Sequence, residues 1–130
     1  IWVMLGDGEV QEGEVWEAAM AAEFHSASNL KVIIDRNGIQ NDDFVSVQME
    51  VGDVASKLAS FGWEVLEIDG HSMTDIVQAL EWAVSINDGP CAIVANTVKG
   101  KGVSFMEGNP AFHGKAPDDD ELGIALEELS

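Results

Sequence analysis

The sequence has very little positive charge. It contains 6 Lys and Arg residues against 24 Asp and Glu residues, which gives a formal net charge of -18 over 130 residues. Because nucleic acids are bound mainly through basic surfaces, this balance argues against a nucleic-acid partner. The chain is 46% apolar with a mean hydropathy near zero, so it has material for a core and is not a disordered acidic tail. We expect one compact globular unit.

Cysteine and long apolar stretches are also scarce. Cys91 is the only cysteine, which excludes an internal disulfide and a cysteine-rich zinc site and is typical of a reducing compartment. No apolar run approaches the roughly 18 residues of a membrane span. The first residues lack the length and basic flank of a signal peptide. We therefore expect a soluble, cytoplasmic protein that does not bind a membrane.

The first apolar segments predict deep burial. Residues 1–5 form a continuous apolar run without an initiator methionine, a cap or a preceding turn, which predicts a strand buried on both faces. We interpret residues 1–130 as a single partial domain that lacks its N-terminal part. The helix expected over residues 14–28 is apolar on two faces, which predicts burial against its own sheet on one side and against another subunit on the other.

Strand and helix patterns alternate along the chain. Further strands are predicted at 31–35, 63–69 and 91–97, and further helices begin after the caps Asp53 and Ser72 and at Pro117. Short connections in this alternation predict an α/β fold, a parallel sheet wound with helices on both faces. Ligands of such sheets bind at the carboxyl ends of the strands, so the loops that follow the strands are the candidate site.

Oxygen ligands follow the first two predicted strands. Gly6, Asp7 and Gly8 close the first strand, and Asn37 follows the second. Glycines let backbone N–H groups approach a ligand closely, although such a triplet is equally typical of an ordinary turn. If the two strands are neighbours, Asp7 and Asn37 lie side by side. With a nearby backbone carbonyl they would form the partial oxygen cage that Mg²⁺ uses when a diphosphate supplies the other ligands.

The surrounding segments carry a family resemblance. Asn37 follows Asp7 at the spacing of the thiamine diphosphate motif, which starts at Gly-Asp-Gly and ends at an Asn. Five segments make the chain similar to transketolase: GDGEVQEGEVWEAAMAA (6–22), DRNGIQ (35–40), DGH (69–71), TVKGKGVSFME (97–107) and FHGKAP (112–117). The resemblance covers nearly the whole chain. It is strongest to the second half of the diphosphate-binding domain, in the form where transketolase is split into two short subunits, and implies the thiamine-diphosphate-binding fold.

This resemblance implies roles for individual residues. Asp7 and Asn37 would bind Mg²⁺ through side-chain oxygens and Ile39 through its backbone carbonyl. Gly6 and Gly8 would border the thiamine diphosphate, with the Gly8 N–H directed to a phosphate oxygen. A catalytic and cofactor-binding role is implied for His113, which would donate a hydrogen bond to the substrate and transfer a proton. Subunit-interface roles are implied for Glu12 and Glu17.

The resemblance also implies an activity and partners. Transketolases transfer a two-carbon ketol unit reversibly from a ketose phosphate to an aldose phosphate, as in the pentose phosphate pathway. Sugar phosphates would therefore be the substrates, and a pyrimidine-binding domain or subunit would complete a dimer or heterotetramer. The glutamate that activates the aminopyrimidine ring belongs to that partner and is not in this sequence.

Lysines and one histidine remain outside these assignments. Lys99, Lys101 and Lys115 fall in one segment, which favours an anion site. His71 follows Asp69 and Gly70 at the carboxyl end of a strand, where it could lie near the site or serve only the loop.

Alternative functions are less compatible with the sequence. An EF-hand starting at Asp7 fails because Glu12 and Ala18 occupy positions that need Gly and Glu. The glycine-rich fingerprints of Rossmann and P-loop domains are absent. Deoxyxylulose-phosphate synthase and the 2-oxoacid dehydrogenase components share the Asp7 to Asn37 pattern but resemble this chain less. A non-catalytic truncated homologue also remains, although the presence of Asp7, Asn37 and His113 argues against it.

Overall fold

Four parallel strands form the central sheet. The computed structural model describes all residues from 1 to 130. The strands are β1 (Trp2–Gly6), β2 (Lys31–Arg36), β3 (Glu64–Asp69) and β4 (Cys91–Asn96), in the order β1-β2-β4-β3. Every neighbouring pair is parallel. The predicted parallel sheet is therefore confirmed, and so is the expectation that the first two strands are neighbours.

Five helices connect and flank the strands. They are α1 (Gly13–Phe24), α2 (Val45–Gln48), α3 (Val54–Ser60), α4 (Met73–Ser85) and α5 (Asp119–Glu128), with 3-10 turns at Glu9–Gln11 and Pro110–Phe112. The short α2 was not predicted. The first helix ends at Phe24 instead of residue 28, because the chain leaves helical geometry at Ser26, whose φ is 49°. No helix has the length and apolar character needed to cross a membrane.

Helices cover the sheet on both faces, as predicted. On one face α1 and α3 pack on β2 and β4 around a cluster that includes Ile34, Val94 and Leu58. The indole N–H of Trp63, the residue before β3, donates to the carbonyl of Ala19 in α1 at 2.9 Å. On the other face α4 places Ala79 and Ala83 against β4. Strand β4 is consequently buried on both faces, which is typical of a central parallel strand.

One burial prediction is wrong for this chain, and a second is confirmed on one side only. Strand β1 lies at an edge of the sheet, and Trp2 and Met4 are 46% and 67% exposed, because α4 covers β3 and β4 instead of β1. Helix α1 is buried on one side, where its small alanines approach the sheet. Its opposite side exposes Met20 and Phe24. The predicted subunit contact of that side stays a prediction.

The cap of α3 supplies a testable pH dependence. The Asp53 carboxylate accepts hydrogen bonds from the Ser56 hydroxyl and backbone N–H at 2.6 and 2.9 Å, and these bonds hold the pKa of Asp53 below its ordinary value. A folded-state pKa below the unfolded one stabilises the fold at neutral pH, and this contribution is lost as the pH falls through the folded-state pKa. We expect Asp53→Ala to destabilise the chain at neutral pH and progressively less in acid.

Urea denaturation at a series of pH values measures this effect. Asp53→Asn is the matched control, because asparagine caps helices well without titrating. The stability difference between Asp53→Asn and Asp53→Ala should stay constant with pH. If the stability difference between wild type and Asp53→Ala were also independent of pH, the ionised form of Asp53 would contribute nothing to the stability of the fold.

Candidate functional site

The ends of β1 and β2 bring together the two loops that carry the predicted metal ligands. Gly6 is paired with Asp35 in the sheet, so Asp7 and Asn37 both lie just beyond the same edge. Asp7 is only 6% exposed. Its Oδ2 accepts a hydrogen bond from the Gly38 N–H at 2.5 Å, which joins the two loops directly.

The Asn37 side chain has a fixed orientation. Its Oδ1 accepts from the Ile39 N–H at 3.0 Å, and its Nδ2 donates to Asp35 at 3.1 Å. A backbone N–H can only donate, and an ionised carboxylate can only accept, so both contacts assign the same end of the amide as oxygen. The amide oxygen therefore lies on the side of Ile39, the residue whose carbonyl is the third predicted ligand.

Asp7 is a buried carboxyl that forms no ion pair. Burial raises the pKa of Asp7, hydrogen bonds from the N–H groups of Gly38 and Asn37 oppose that rise, the Asp35 carboxylate adds to it, and the Arg36 charge opposes it. The ion pairs of the chain join other residues: Arg36 to Glu67, Lys101 to Glu107 and Lys115 to Glu121. A buried carboxylate without a counterion is stabilised strongly by a metal cation.

A polar cavity of about 490 Å³ opens at this edge of the sheet. It is lined by all residues predicted to bind the cofactor, to bind the metal or to act in catalysis: Gly6, Asp7, Gly8, Asn37, Ile39 and His113. Glu12 also lines it, whereas Glu17 lies outside it, exposed on α1. The remaining lining residues are Glu9, Gln11, Asp35, Gln40, Asn41 and Lys99. Asp35 and Gln40 were not predicted, although both belong to the segment 35–40 that the sequence singled out.

His113 reaches the cavity through the long segment after β4. Asn109 caps the 3-10 turn that precedes it by accepting from the Ala111 N–H at 3.1 Å. Nδ1 of His113 is the one buried side-chain nitrogen or oxygen in the chain without a hydrogen-bond partner. An unpaired buried polar atom is costly in a folded protein unless a ligand or solvent satisfies it. His113 lines the polar cavity beside the other predicted site residues.

The three lysines of the predicted anion site separate in the structure. Lys99 lines the cavity. Lys101 is paired with Glu107 at 2.6 Å, and Lys115 is paired with Glu121 at 3.4 Å and lies over the Phe112 ring. Lys99 is therefore the lysine placed to meet an anion in the cavity, and the other two neutralise nearby carboxylates.

The donor set fits Mg²⁺ together with a diphosphate. No three His, Cys, Asp or Glu side chains cluster as a complete metal site. Asp7, Asn37 and the Ile39 carbonyl are an incomplete oxygen set, of the kind that Mg²⁺ completes with phosphate oxygens. Glycine suits position 8, because a Cβ there would come within 3.1 Å of the Gln40 side chain. The unpaired Nδ1 of His113 offers a further polar contact.

Comparison with known proteins identifies the family. The family model described as "Transketolase, thiamine diphosphate binding domain" matches residues 1–129. The chain belongs to the transketolase family. This transketolase-family chain is 41% identical over 129 residues to one subunit of the apulose-4-phosphate transketolase of Actinobacillus succinogenes, a match that covers 99% of the chain and 46% of that relative. It is 38% identical over 115 residues to the transketolase of Mus musculus, covering 88% of the chain and 18% of that protein.

A solved transketolase has the same fold. The crystal structure of transketolase from Campylobacter jejuni superposes with a TM-score of 0.89 at 34% identity, over 98% of this chain and 20% of that one. The chain thus spans less than half the length of the curated relatives that it matches. It follows that the activity of a whole transketolase does not transfer to these residues without a further argument.

Proposed function

We propose that the chain binds Mg²⁺ and the diphosphate end of thiamine diphosphate, and that it acts within a transketolase that transfers a two-carbon ketol unit between sugar phosphates. The observation that carries this proposal is the single polar cavity in which Asp7, Asn37, Ile39 and His113 meet. Membership of the family supports this proposal, because the matching family model is described as a thiamine diphosphate binding domain.

Oxygen groups of the protein would bind the metal, and N–H and ammonium groups would bind the phosphates. The Asp7 carboxylate, the Asn37 amide oxygen and the Ile39 carbonyl would hold Mg²⁺ at the ends of β1 and β2. The Gly8 N–H and the Lys99 ammonium would bind phosphate oxygens. The lysine would offset negative charge of the diphosphate that Mg²⁺ does not neutralise. When bound, thiamine diphosphate supplies the carbon nucleophile that attacks the ketose carbonyl.

His113 is the proposed proton-transfer group of this chain. A neutral imidazole has one ring nitrogen that donates a hydrogen bond and one that accepts, so it can contact a substrate hydroxyl and also take up its proton. His113 lines the cavity, and its Nδ1 is buried without a hydrogen-bond partner in the chain.

The proposed site needs a partner. The relative from Actinobacillus succinogenes is by name one subunit of its transketolase, and so is a second relative from Phocaeicola vulgatus. We propose that the partner is a pyrimidine-binding subunit, in a dimer or heterotetramer. The exposed side of α1 is its proposed interface, because Glu12 borders the cavity and the helix then continues into Glu17, Met20 and Phe24.

Reconstitution tests the proposed reaction. The chain is assayed for ketol transfer alone, after adding the pyrimidine-binding subunit of a transketolase, and again with the N-terminal part of the diphosphate-binding domain. Donors are a ketose phosphate, apulose 4-phosphate and 6-deoxy-6-sulfofructose, the last two taken from the names of relatives. Pyruvate is a parallel donor that detects deoxyxylulose-phosphate synthase or 2-oxoacid dehydrogenase chemistry. Pyruvate-dependent product without ketol transfer would contradict the proposal.

The α1 surface yields a separate prediction. Phe24 is 83% exposed, and placing a charge there costs the isolated chain little but disrupts an apolar contact with a partner. We expect Phe24→Asp to weaken binding of the pyrimidine-binding partner at least about tenfold, the size of one lost anchor contact. Analytical ultracentrifugation measures it. Val84→Asp, at a 67% exposed valine of α4, is the matched control and should bind normally. Equal loss in both variants would refute an interface at α1.

A further inference from the structure

We propose that Asp35 and Thr97 are positioning residues for Asn37, and that the turn Asp69–His71 holds Thr97 in place. Together they would fix the Asn37 amide with its oxygen on the side of Ile39. The inference rests on the proposed function, in which Asn37 binds Mg²⁺, and it assigns a role to the DGH turn.

Asp35 controls the orientation of Asn37 from the end of the same strand. Its Oδ2 accepts from the Asn37 Nδ2 at 3.1 Å, while the opposite end of the amide accepts from the Ile39 N–H. Without the Asp35 contact, one backbone hydrogen bond alone would hold the amide. Metal ligands are commonly oriented in this way by a second group, and losing that group weakens metal binding.

Thr97 in turn holds Asp35. Its hydroxyl donates a short hydrogen bond to the Asp35 Oδ1, the oxygen that does not contact Asn37. The backbone N–H of Thr97 donates to the Arg36 carbonyl at 3.1 Å, which fixes the residue beside the end of β2. Both oxygens of Asp35 therefore have defined partners, and the carboxylate cannot rotate away from Asn37 without losing the hydroxyl.

The DGH turn holds both flanks of Thr97. Gly70 donates its N–H to the Asn96 carbonyl at 2.8 Å, and a Cβ on Gly70 would overlap the Thr97 methyl group. Nε2 of His71 accepts from the Val98 N–H at 2.7 Å. The Asp69 carboxylate stabilises the turn by accepting from the His71 N–H at 2.9 Å. Contacts thus run from the end of β3 past the end of β4 to Asn37, the proposed metal ligand just beyond β2.

Two substitutions at Thr97 separate its hydroxyl from its methyl group. Thr97→Val keeps the methyl beside Gly70 and removes the hydroxyl, whereas Thr97→Ser keeps the hydroxyl and removes the methyl. In the isotope-labelled chain without ligand, NMR measures the solvent exchange of the Asn37 side-chain amide protons, assigned by their absence in Asn37→Asp. We expect the amide protons to exchange about tenfold faster in Thr97→Val, because the hydrogen bond from the Thr97 hydroxyl to Asp35 is lost. Exchange in Thr97→Ser should be close to wild type.

A second NMR titration connects this orientation to ligand binding. The probe is inorganic pyrophosphate at fixed Mg²⁺, and Thr97→Val should raise its dissociation constant at least about tenfold, the lower range for lost outer-shell groups. Thr97→Ser should bind like wild type. Gly70→Ala, which displaces the Thr97 side chain, should act like Thr97→Val. The backbone amide spectrum of each variant shows whether it is folded.

The two readouts distinguish this inference from the proposed function. Unchanged amide exchange in both Thr97→Val and Gly70→Ala would overturn the positioning role. The positioning role would also be overturned if the wild-type chain binds pyrophosphate and these two variants bind it with unchanged affinity. Absence of any Mg²⁺-dependent pyrophosphate binding by the wild type would instead count against the proposed function, and the exchange measurement would still decide whether Thr97 orients Asn37.

Discussion

Replacing Asp7 with asparagine should abolish Mg²⁺-dependent binding of thiamine diphosphate and, at neutral pH, make the ligand-free chain more stable. Asp7 is the one anionic group among the proposed metal ligands, so its loss should cost more than the roughly 10–100-fold that outer-shell changes cost. The gain in stability has a separate cause. Burial disfavours the ionised form of Asp7, and Asp7→Asn removes that charge while keeping an oxygen that can accept from the Gly38 N–H.

The sign of the pH effect follows from the direction of the pKa shift. Burial raises the pKa of Asp7, so the folded chain holds this proton more tightly than the unfolded chain does. Stability then decreases as the pH rises from the unfolded-state pKa to the folded-state pKa. We expect the stability gain of Asp7→Asn at neutral pH to disappear in acid, where the wild-type side chain is also neutral.

Calorimetric titration and urea denaturation measure the two effects on Asp7→Asn. Asp42→Asn is the matched control, an equal change of charge at an exposed aspartate of the neighbouring loop, and should leave cofactor binding near wild type. Unchanged affinity of Asp7→Asn at saturating Mg²⁺ would remove Asp7 from the metal site. A loss of affinity together with lower stability would show that the carboxylate has a structural role.

The main features of the fold were predictable from the sequence because they depend on local patterns. The alternating apolar segments and the caps at Asp53 and Ser72 identified most elements of the parallel sheet. The adjacency of β1 and β2 then brought the loops of Asp7 and Asn37 together. Such reasoning succeeds because parallel strands all end at one edge, so a residue's place in the pattern determines its place in space.

The errors concern contacts between distant segments. An apolar run like that of β1 predicts a strand, but whether Met4 is covered depends on where α4 packs, which no local pattern encodes. Likewise, only the three-dimensional structure separates Lys99 in the cavity from Lys101 beside Glu107.

The Asp35–Thr97 contact illustrates the same limit for the site. These residues are 62 positions apart, and each resembles an ordinary polar residue at the end of a strand. Their relation depends on the strand order, in which β4 lies next to β2 although β3 intervenes in sequence. A crossover of this kind creates a site contact that motif spacing cannot reveal.

Replacing His113 with alanine should reduce catalysis far more than assembly. In the reconstituted enzyme we expect kcat/KM for a ketose phosphate donor to fall at least about 100-fold, as for the loss of an acid–base group. Partner binding should be unchanged, because the proposed interface on α1 does not include His113. Cofactor content should stay near normal, since the proposed metal ligands come from other loops.

Two further variants decide whether the effect is proton transfer. His113→Gln keeps a hydrogen-bond donor but does not titrate near neutrality, so it should recover donor binding, seen in KM, more than turnover, seen in kcat. Any pH dependence of kcat/KM that comes from the imidazole should disappear in His113→Gln. His25→Ala is the matched control, at an exposed histidine at the end of α1, and should keep wild-type kinetics. Wild-type kinetics in His113→Ala would instead exclude the imidazole from the reaction, because no other histidine lines the cavity.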